Sequence, residues 1–137
     1  MAKGPVNFYS RRNPYGEFSN FANFPITVEG KLWPTSEHYY QAKKFLDSKT
    51  IEKIRLTIAP EEAAHLGRTL ECRKDWHDVK VAYMWTALKA KYTQHERLKT
   101  LLLSTNTQSI FEHTENDFFW GDGGNGTGKN ILGLMLM

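Results

Sequence analysis

WPTSEHYYQAKKFLDS, residues Trp33 to Ser48, decides how the rest of the chain is read. Thr35 and Ser36 offer hydroxyl caps and Glu37 puts an acid in the first turn, ahead of residues that favour helix, so a helix is predicted from Ser36 onward. At ~100° per residue, Ala42, Phe45 and Leu46 share one face, while Glu37, Tyr40, Gln41 and Lys44 cluster on the other. A carboxylate and an amine therefore stand on the same side. A polar stripe of this kind is ordinarily a solvated face, yet Tyr40 is a costly choice for pure solvent. If the stripe lines a cleft, Glu37 and Lys44 lie two turns apart and their charged heads flank one ligand.

Upstream, Ile26-Thr27-Val28 and Lys31-Leu32-Trp33 alternate around Glu29-Gly30 and read as a β-hairpin. Before them, Val6 to Phe24 reads as a short strand followed by a turn-rich loop punctuated by Asn13-Pro14 and Gly16. Downstream, Ile51, Ile54 and Ile58 recur at helical spacing between Thr50 and Ala59. Pro60-Glu61-Glu62 then opens another helix that Gly67 is expected to end. The longest periodic stretch is Asp75 to Gln94, with Trp76, Val79, Tyr83, Ala87 and Leu88 returning to one face and Trp85 expected to pack as well. Glu96 to Leu103 continues as helix, Ser109-Ile110-Phe111 reads as strand, and Ile131 to Met137 should dock as a terminal helix. Neither an internal repeat nor a linker interrupts the chain, so a single domain over residues 1–137 is expected.

With 137 residues the chain can bury a core without disulfides or metals. Its formal charge of +3 is mildly basic, suited to phosphates but short of a dense nucleic-acid patch. Cys72 is the only cysteine, which excludes an intramolecular disulfide. No apolar run approaches the ~18 residues of a membrane span, and Met1-Ala2-Lys3-Gly4 does not begin a signal peptide. The expectation is a soluble cytoplasmic or nuclear chain with no membrane contact and no obligate protein partner. Aromatic residues make up 13% of a chain that is 24% charged, so many rings sit beside polar groups, as a planar ligand would require.

Five of the eight residues from Gly121 to Gly128 are glycine, a loop that needs unusual backbone angles or close approach. Gly123 to Lys129 fits G-x-x-x-x-G-K, but Asn130 stands where a P-loop needs a hydroxyl for magnesium, and too little chain follows for a nucleotide hydrolase. Gly121, Gly123 and Gly126 match G-x-G-x-x-G without the βαβ remainder that gives that pattern meaning. The loop amides with Lys129 beside them either cradle a phosphate or form a tight structural turn. His38, His65, His77, His95 and His113 include no pair at ligand spacing, so no metal and no cofactor are expected and structural roles are favoured. Neither a serine elbow nor a cysteine-protease signature is present.

Four ordered blocks together carry a resemblance: FYSRRNPYGEFSNF (Phe8 to Phe21), WPTSEHYYQAKKF (Trp33 to Phe45), Arg73 with Asp75-Trp76, and DFFWGDGGNGTGKNILGLMLM (Asp117 to Met137). In these blocks the chain resembles the NADAR family, also called YbiA-like, over nearly its whole length. Relatives usually continue a few residues past the terminal Leu-Met pair, so a shortened end is expected. The resemblance implies a mostly helical α+β domain with a small β portion that hydrolyses N-glycosidic bonds to ribose. It also implies two substrate classes: ADP-ribose on guanine bases, whether nucleoside or nucleic acid, and the phosphoribosylamino pyrimidine intermediates of riboflavin synthesis. A binding module that recognises ADP-ribose or nucleic acid without turnover is the alternative of another class. Finally, the resemblance implies a lysine that forms a Schiff base with the opened ribose, and the Q-A-x-K-F block puts it at Lys44.

The residues agree with that chemistry. Cleaving a ribose C–N bond needs an acid for the departing base and stabilisation of a cationic sugar, or an amine that attacks the anomeric carbon. Lys44 serves only if partly unprotonated, which burial or the adjacent Lys43 would favour. Glu37 is the proton shuttle, and Asp117 is the second carboxylate candidate unless it caps a turn. Arg11, Arg73 and Lys80 are candidates for phosphate. Phe21, Trp33, Trp76 and Trp120 are candidate stacking platforms, about half of which should prove to be core. Asn13 and Asn20 are candidates for ribose hydroxyls. Ser36, Tyr40, Gly121 and Lys129 complete the expected substrate-binding set.

Overall fold

The computed structural model describes residues 5–8, 15–105, 108–113, 117, 119–124 and 128–137. The fold is α+β and mostly helical. It divides into two compact units, one from Met1–Ala22 with Glu96–Met137 and the other from Asn23–His95.

β1 (Val6–Phe8) belongs to the other unit, and in the Asn23–His95 unit β2 (Ile26–Val28) pairs antiparallel with β3 (Lys31–Trp33). Glu29 and Gly30 turn the chain with φ of 52° and 79°, left-handed angles that a two-residue hairpin demands and glycine supplies without strain. The register sets Ile26 opposite Trp33, and both are buried, whereas Leu32 on the other face is 57% exposed. The period of two thus resolves as expected. Gln94 closes the edge of β2 by donating to the Thr27 carbonyl and accepting from its N–H, each at 2.8 Å.

α1 (Ser36–Ala42) starts where the hydroxyl caps place it. Thr35 Oγ1 accepts from His38 N–H at 3.1 Å and, 2.8 Å from His38 Nδ1, donates its proton there. His38 Nε2 must then donate to the Thr57 carbonyl at 3.0 Å, which fixes the neutral Nε2–H tautomer. His38 is a structural clamp. The helix is shorter than its propensities suggest, however. Lys43 caps it, and the Lys44 and Phe45 amides turn back to Gln41 and Ala42 in a tighter closing turn. Leu46, expected on the apolar face, is therefore carried out to 73% exposure.

α2 (Ser48–Arg55) is capped by Asp47, whose carboxylate accepts from Thr50 N–H at 2.9 Å. It ends before Ile58, which is 91% exposed rather than on the buried stripe. α3 (Pro60–Thr69) runs through Gly67 instead of stopping there, because that glycine serves packing and not termination. α4 (Trp76–Gln94) buries Trp76, Met84, Ala87 and Leu88, with Tyr83 packed against the core. Trp85 corrects another expectation, since it lies on the solvent side of α4 and is 54% exposed. The core joins Ile26, Trp33, Tyr39, Ala42, Phe45, Ile54, Ala63 and Ala87. α1 lies at its centre, with every one of its residues buried.

In the other unit, β1 (Val6–Phe8) pairs parallel with β4 (Ile110–Glu112), Val6 opposite Ile110. A 3-10 turn (Gly16–Phe18), α5 (Glu96–Ser104) and α6 (Ile131–Leu136) accompany them. Asn130, at φ 52°, lies along β4: its Oδ1 accepts from Glu112 N–H at 2.9 Å and its Nδ2 donates to the Ile110 carbonyl at 2.8 Å. One side-chain amide thus satisfies a strand edge as a backbone would. Among the described residues, no helix is long and apolar enough to cross a membrane.

Candidate active site

The closing turn of α1 sets Lys44 among groups from three elements. Its Nζ stands 5.9 Å from the centroids of both the Tyr40 and Trp76 rings. Those rings pack edge to face at 5.1 Å, and each residue is almost wholly buried. The Lys44 carbonyl accepts from Arg73 N–H at 2.6 Å, tying the turn to the segment before α4. Half-buried in this setting, the Lys44 ammonium is held below its ordinary range of 10.5, chiefly by desolvation. Glu37 and Cys72 oppose the shift, while Arg68 and Lys80 add to it. Burial thus acts as expected, but the neighbouring cations are Arg68 and Lys80, whereas Lys43 turns its ammonium over Tyr39 and Tyr83.

Glu37 is itself buried on α1, and its Oε1 accepts from Gln41 Nε2 at 2.6 Å. The expected polar face is therefore real in composition but is no solvated surface. Lys44 belongs to the turn after the helix, so its relation to Glu37 is set by that turn and not by helical periodicity. A lysine amine with its charged form disfavoured, a buried carboxylate and two aromatic walls are groups able to support nucleophilic and proton-transfer chemistry.

Other expected residues fall differently. Trp33 is 2% exposed and packs edge-on against Tyr39 at 5.4 Å, so it is core and no stacking platform. Ser36 is the buried first residue of α1. The Arg73 guanidinium is engaged by both Asp75 oxygens, with Nη2 to Oδ2 at 3.0 Å, and by the Tyr83 hydroxyl at 3.3 Å, so any phosphate would compete with that pair. A groove of about 590 Å³ runs beside it, lined by Phe45, Leu46, Asp47 and Glu71–Asp75. Cys72, exposed and without a disulfide, is on this rim.

Asn20, Phe21, Asp117, Trp120, Gly121 and Lys129 belong to the other unit. Asn20 is buried and Phe21 partly so, both beyond the 3-10 turn. Asp117 Oδ1 accepts from Phe119 and Trp120 N–H at 2.9 and 2.8 Å, a cap of the kind expected of an aspartate opening a turn. Trp120 is half-buried and meets Phe119 edge to face at 4.8 Å. Gly121 accepts from Asn130 N–H at 2.9 Å. Lys129 is exposed, with its ammonium 5.8 Å over the Phe119 ring. Arg11 and Asn13 lie outside the described residues. Among the described residues, no cluster of three or more His, Cys, Asp or Glu side chains is arranged to hold a metal ion.

Sequence reasoning alone missed Gln41 as the partner of Glu37, and it missed Gly67 and Arg68 on α3. Their signal was present only as a glutamine four residues after a glutamate and a glycine inside a helical run.

Comparison with known proteins places this geometry in a wider set. The chain is 56% identical over 134 residues to "N-glycosidase YbiA" of Shigella boydii serotype 4, covering 96% of this chain and 84% of that protein. It is 41% identical over 135 residues to "Riboflavin biosynthesis protein VVA0006" of Vibrio vulnificus, covering 97% of this chain but 37% of that longer protein. The NMR structure of the E. coli protein YbiA superimposes with a TM-score of 0.91 at 54% identity, covering all of this chain and 83% of that one. The family profile described as NADAR domain matches residues 7–137, and the chain belongs to the NADAR family.

Proposed function

We propose that this chain is an N-glycosidase that cleaves the bond between ribose and a nitrogenous base, with ADP-ribose on guanine as the preferred substrate and Lys44 as the covalent residue. The observation that carries the reading is the Lys44 amine, half-buried between Tyr40 and Trp76 with its charged form destabilised, and within electrostatic reach of the Glu37 carboxylate. The names of the relatives supply the reaction class. In this mechanism neutral Nζ bonds to C1′ of the ribose as the C1′–N bond breaks. The electron pair leaves with the base, which takes up a proton. Ring opening gives a Schiff base, and water adds to it, releasing the sugar and restoring the amine. Glu37 carries protons between these steps.

Tyr40 and Trp76 flank the amine and exclude water from it, while Lys80 and Arg68 bring positive charge for a phosphate. Arg11, Asn13, Asn20, Phe21, Trp120, Gly121 and Lys129 remain substrate-binding candidates in this reading. The second reading, hydrolysis of phosphoribosylamino pyrimidines, is favoured by the riboflavin-biosynthesis relative. One experiment separates them: the chain is incubated with ADP-ribosylated guanosine and with the pyrimidine intermediate, and free base is measured. Release of guanine supports the first reading, release of the pyrimidine alone the second, and tight binding without release a pure reader.

A further inference from the structure

Gln41 makes one hydrogen bond and lacks another. Its Nε2 donates to Glu37 Oε1 at 2.6 Å, while its own Oε1 is buried with no hydrogen-bond partner among the described residues. The residue is 6% exposed, so neither end of the amide is served by bulk water. Turning the amide over would face an acceptor oxygen toward an acceptor carboxylate, so the carboxylate itself dictates the orientation.

α3 accommodates this side chain at Gly67. A Cβ there would stand 1.9 Å from Gln41 Oε1 and 2.7 Å from its Cδ, closer than atoms can approach. Gly67 lies inside the helix, where glycine is the poorest choice short of proline. Its backbone does not require glycine; the space does. Two unfavourable features, a mid-helix glycine and an orphaned buried carbonyl, thus coincide at one point. Both are consequences of keeping one N–H on Glu37. An apolar side chain of the same length would fill the space and leave no orphan, so packing does not explain the glutamine.

We propose that Gln41 is the positioning residue for Glu37 and that Gly67 is the notch that admits it. The inference rests on the reading of Glu37 as the proton carrier, and it adds how that carboxylate is aimed. A charge-assisted bond from a wedged amide holds Glu37 to one rotamer and so aims its carboxylate.

The test uses Gln41→Met, which keeps the length of the side chain and removes both the donor and the orphaned oxygen. Turnover is measured on ADP-ribosylated guanosine or the phosphoribosylamino pyrimidine, whichever the unaltered chain hydrolyses. The expected result is a kcat lower by roughly 10- to 100-fold, with KM held within about twofold, because Gln41 touches Glu37 and not the substrate. Gly67→Ala should lower kcat by a similar factor, and its crystal structure should show Gln41 withdrawn from Glu37. Gln41→Ala combined with Gly67→Ala should be no worse than Gln41→Ala alone, since the methyl group acts only by displacing the amide. That double variant also regains the space if Gly67→Ala by itself does not fold. Normal kcat in Gln41→Met, a loss confined to KM, or additive losses in the double variant would overturn the proposal. If Glu37→Gln is crippled while Gln41→Met is normal, only the positioning role falls. If Glu37→Gln is normal, the reading of Glu37 falls and takes this proposal with it.

Discussion

The turn around Lys44 and the glycine loop after Asp117 are both rich in polar groups, but they use their hydrogen-bonding capacity in opposite ways. In the loop many of the described amides are already committed. Phe119 and Trp120 donate to the Asp117 carboxylate, Gly124 donates to Asp122 Oδ1, and Gly123 and Gly128 donate to the carbonyls of Asp117 and Asp122. Two carboxylates and two carbonyls thus occupy donors that a phosphate cradle would otherwise use. Gly128 is there for proximity, since a Cβ would stand 2.6 Å from the Gly121 carbonyl oxygen. Around α1, by contrast, a buried amide oxygen has no partner among the described residues and an ammonium is held against its preference for charge. A fold retains uncompensated polar groups where they serve something other than stability. The contrast is thus between a loop whose described amides largely hold the loop together and a lysine turn that keeps an ammonium in an unfavourable setting.

The largest effect that would break this comparison belongs to Lys44. Lys44→Ala should lower turnover by about three orders of magnitude or more, and Lys44→Arg nearly as far, because guanidinium stays protonated and forms no imine. Lys44→Met sharpens the point, since removing an ammonium from a site that disfavours it should raise the melting temperature at neutral pH as activity disappears. The sign of the pH dependence follows. The folded state binds the Lys44 proton less tightly than the unfolded chain, so activity should climb with pH and level off below the ordinary lysine value of 10.5. Stability should rise from the lowered folded value up to 10.5, where the unfolded chain also loses the proton, and this rise should be absent in Lys44→Met.

Glu37→Gln should come next, with kcat reduced roughly 100-fold and ligand affinity in calorimetry little changed. A smaller and opposite pattern is expected at the loop. Asp117→Ala removes the acceptor of two amides and should cost about 1–2 kcal/mol in denaturant unfolding. Asp117→Asn keeps that acceptor, so stability and turnover should both stay close to the unaltered chain. Loss of turnover in a stable Asp117→Asn protein would restore Asp117 as a catalytic carboxylate and undo the contrast between the two regions.

The smallest effect concerns the base of α1. Burial holds His38 below its ordinary 6.5, against the Thr57 carbonyl and the carboxylates of Glu62 and Glu61. Its contribution is present above pH 6.5 and is lost as pH falls through 6.5 toward the lowered folded value, because the unfolded chain takes up the proton more readily. Melting temperature should decline over that interval, and His38→Gln should flatten the decline.

Much of the architecture was legible because it depends on local chemistry. The Glu29-Gly30 turn, the Thr35 cap, the Pro60 start and the alternation of Ile26 and Trp33 each act within a few residues. What escaped depends on partners distant in sequence. α1 stops at Ala42 because the chain turns there to be tied by Arg73, and no propensity within HYYQAKKF records that. Gly67 reads as a terminator until Gln41 is brought against it. Trp85 reads as core because aromatic residues usually are, although the helix already has Trp76 and Tyr83 inside. Lys44 and Glu37 were visible as a pair, but burial of the whole helix, which gives the pair its chemical character, is a tertiary property.

Trapping the covalent intermediate tests the central claim most directly. The chain is incubated with substrate and borohydride, digested, and its peptides are weighed by mass spectrometry. The account predicts a reduced ribose adduct on Lys44, absent in Lys44→Arg and absent without substrate. Free base released at the normal rate with no adduct on Lys44, together with near-normal turnover in Lys44→Ala, would contradict it and shift the chemistry to direct attack by water.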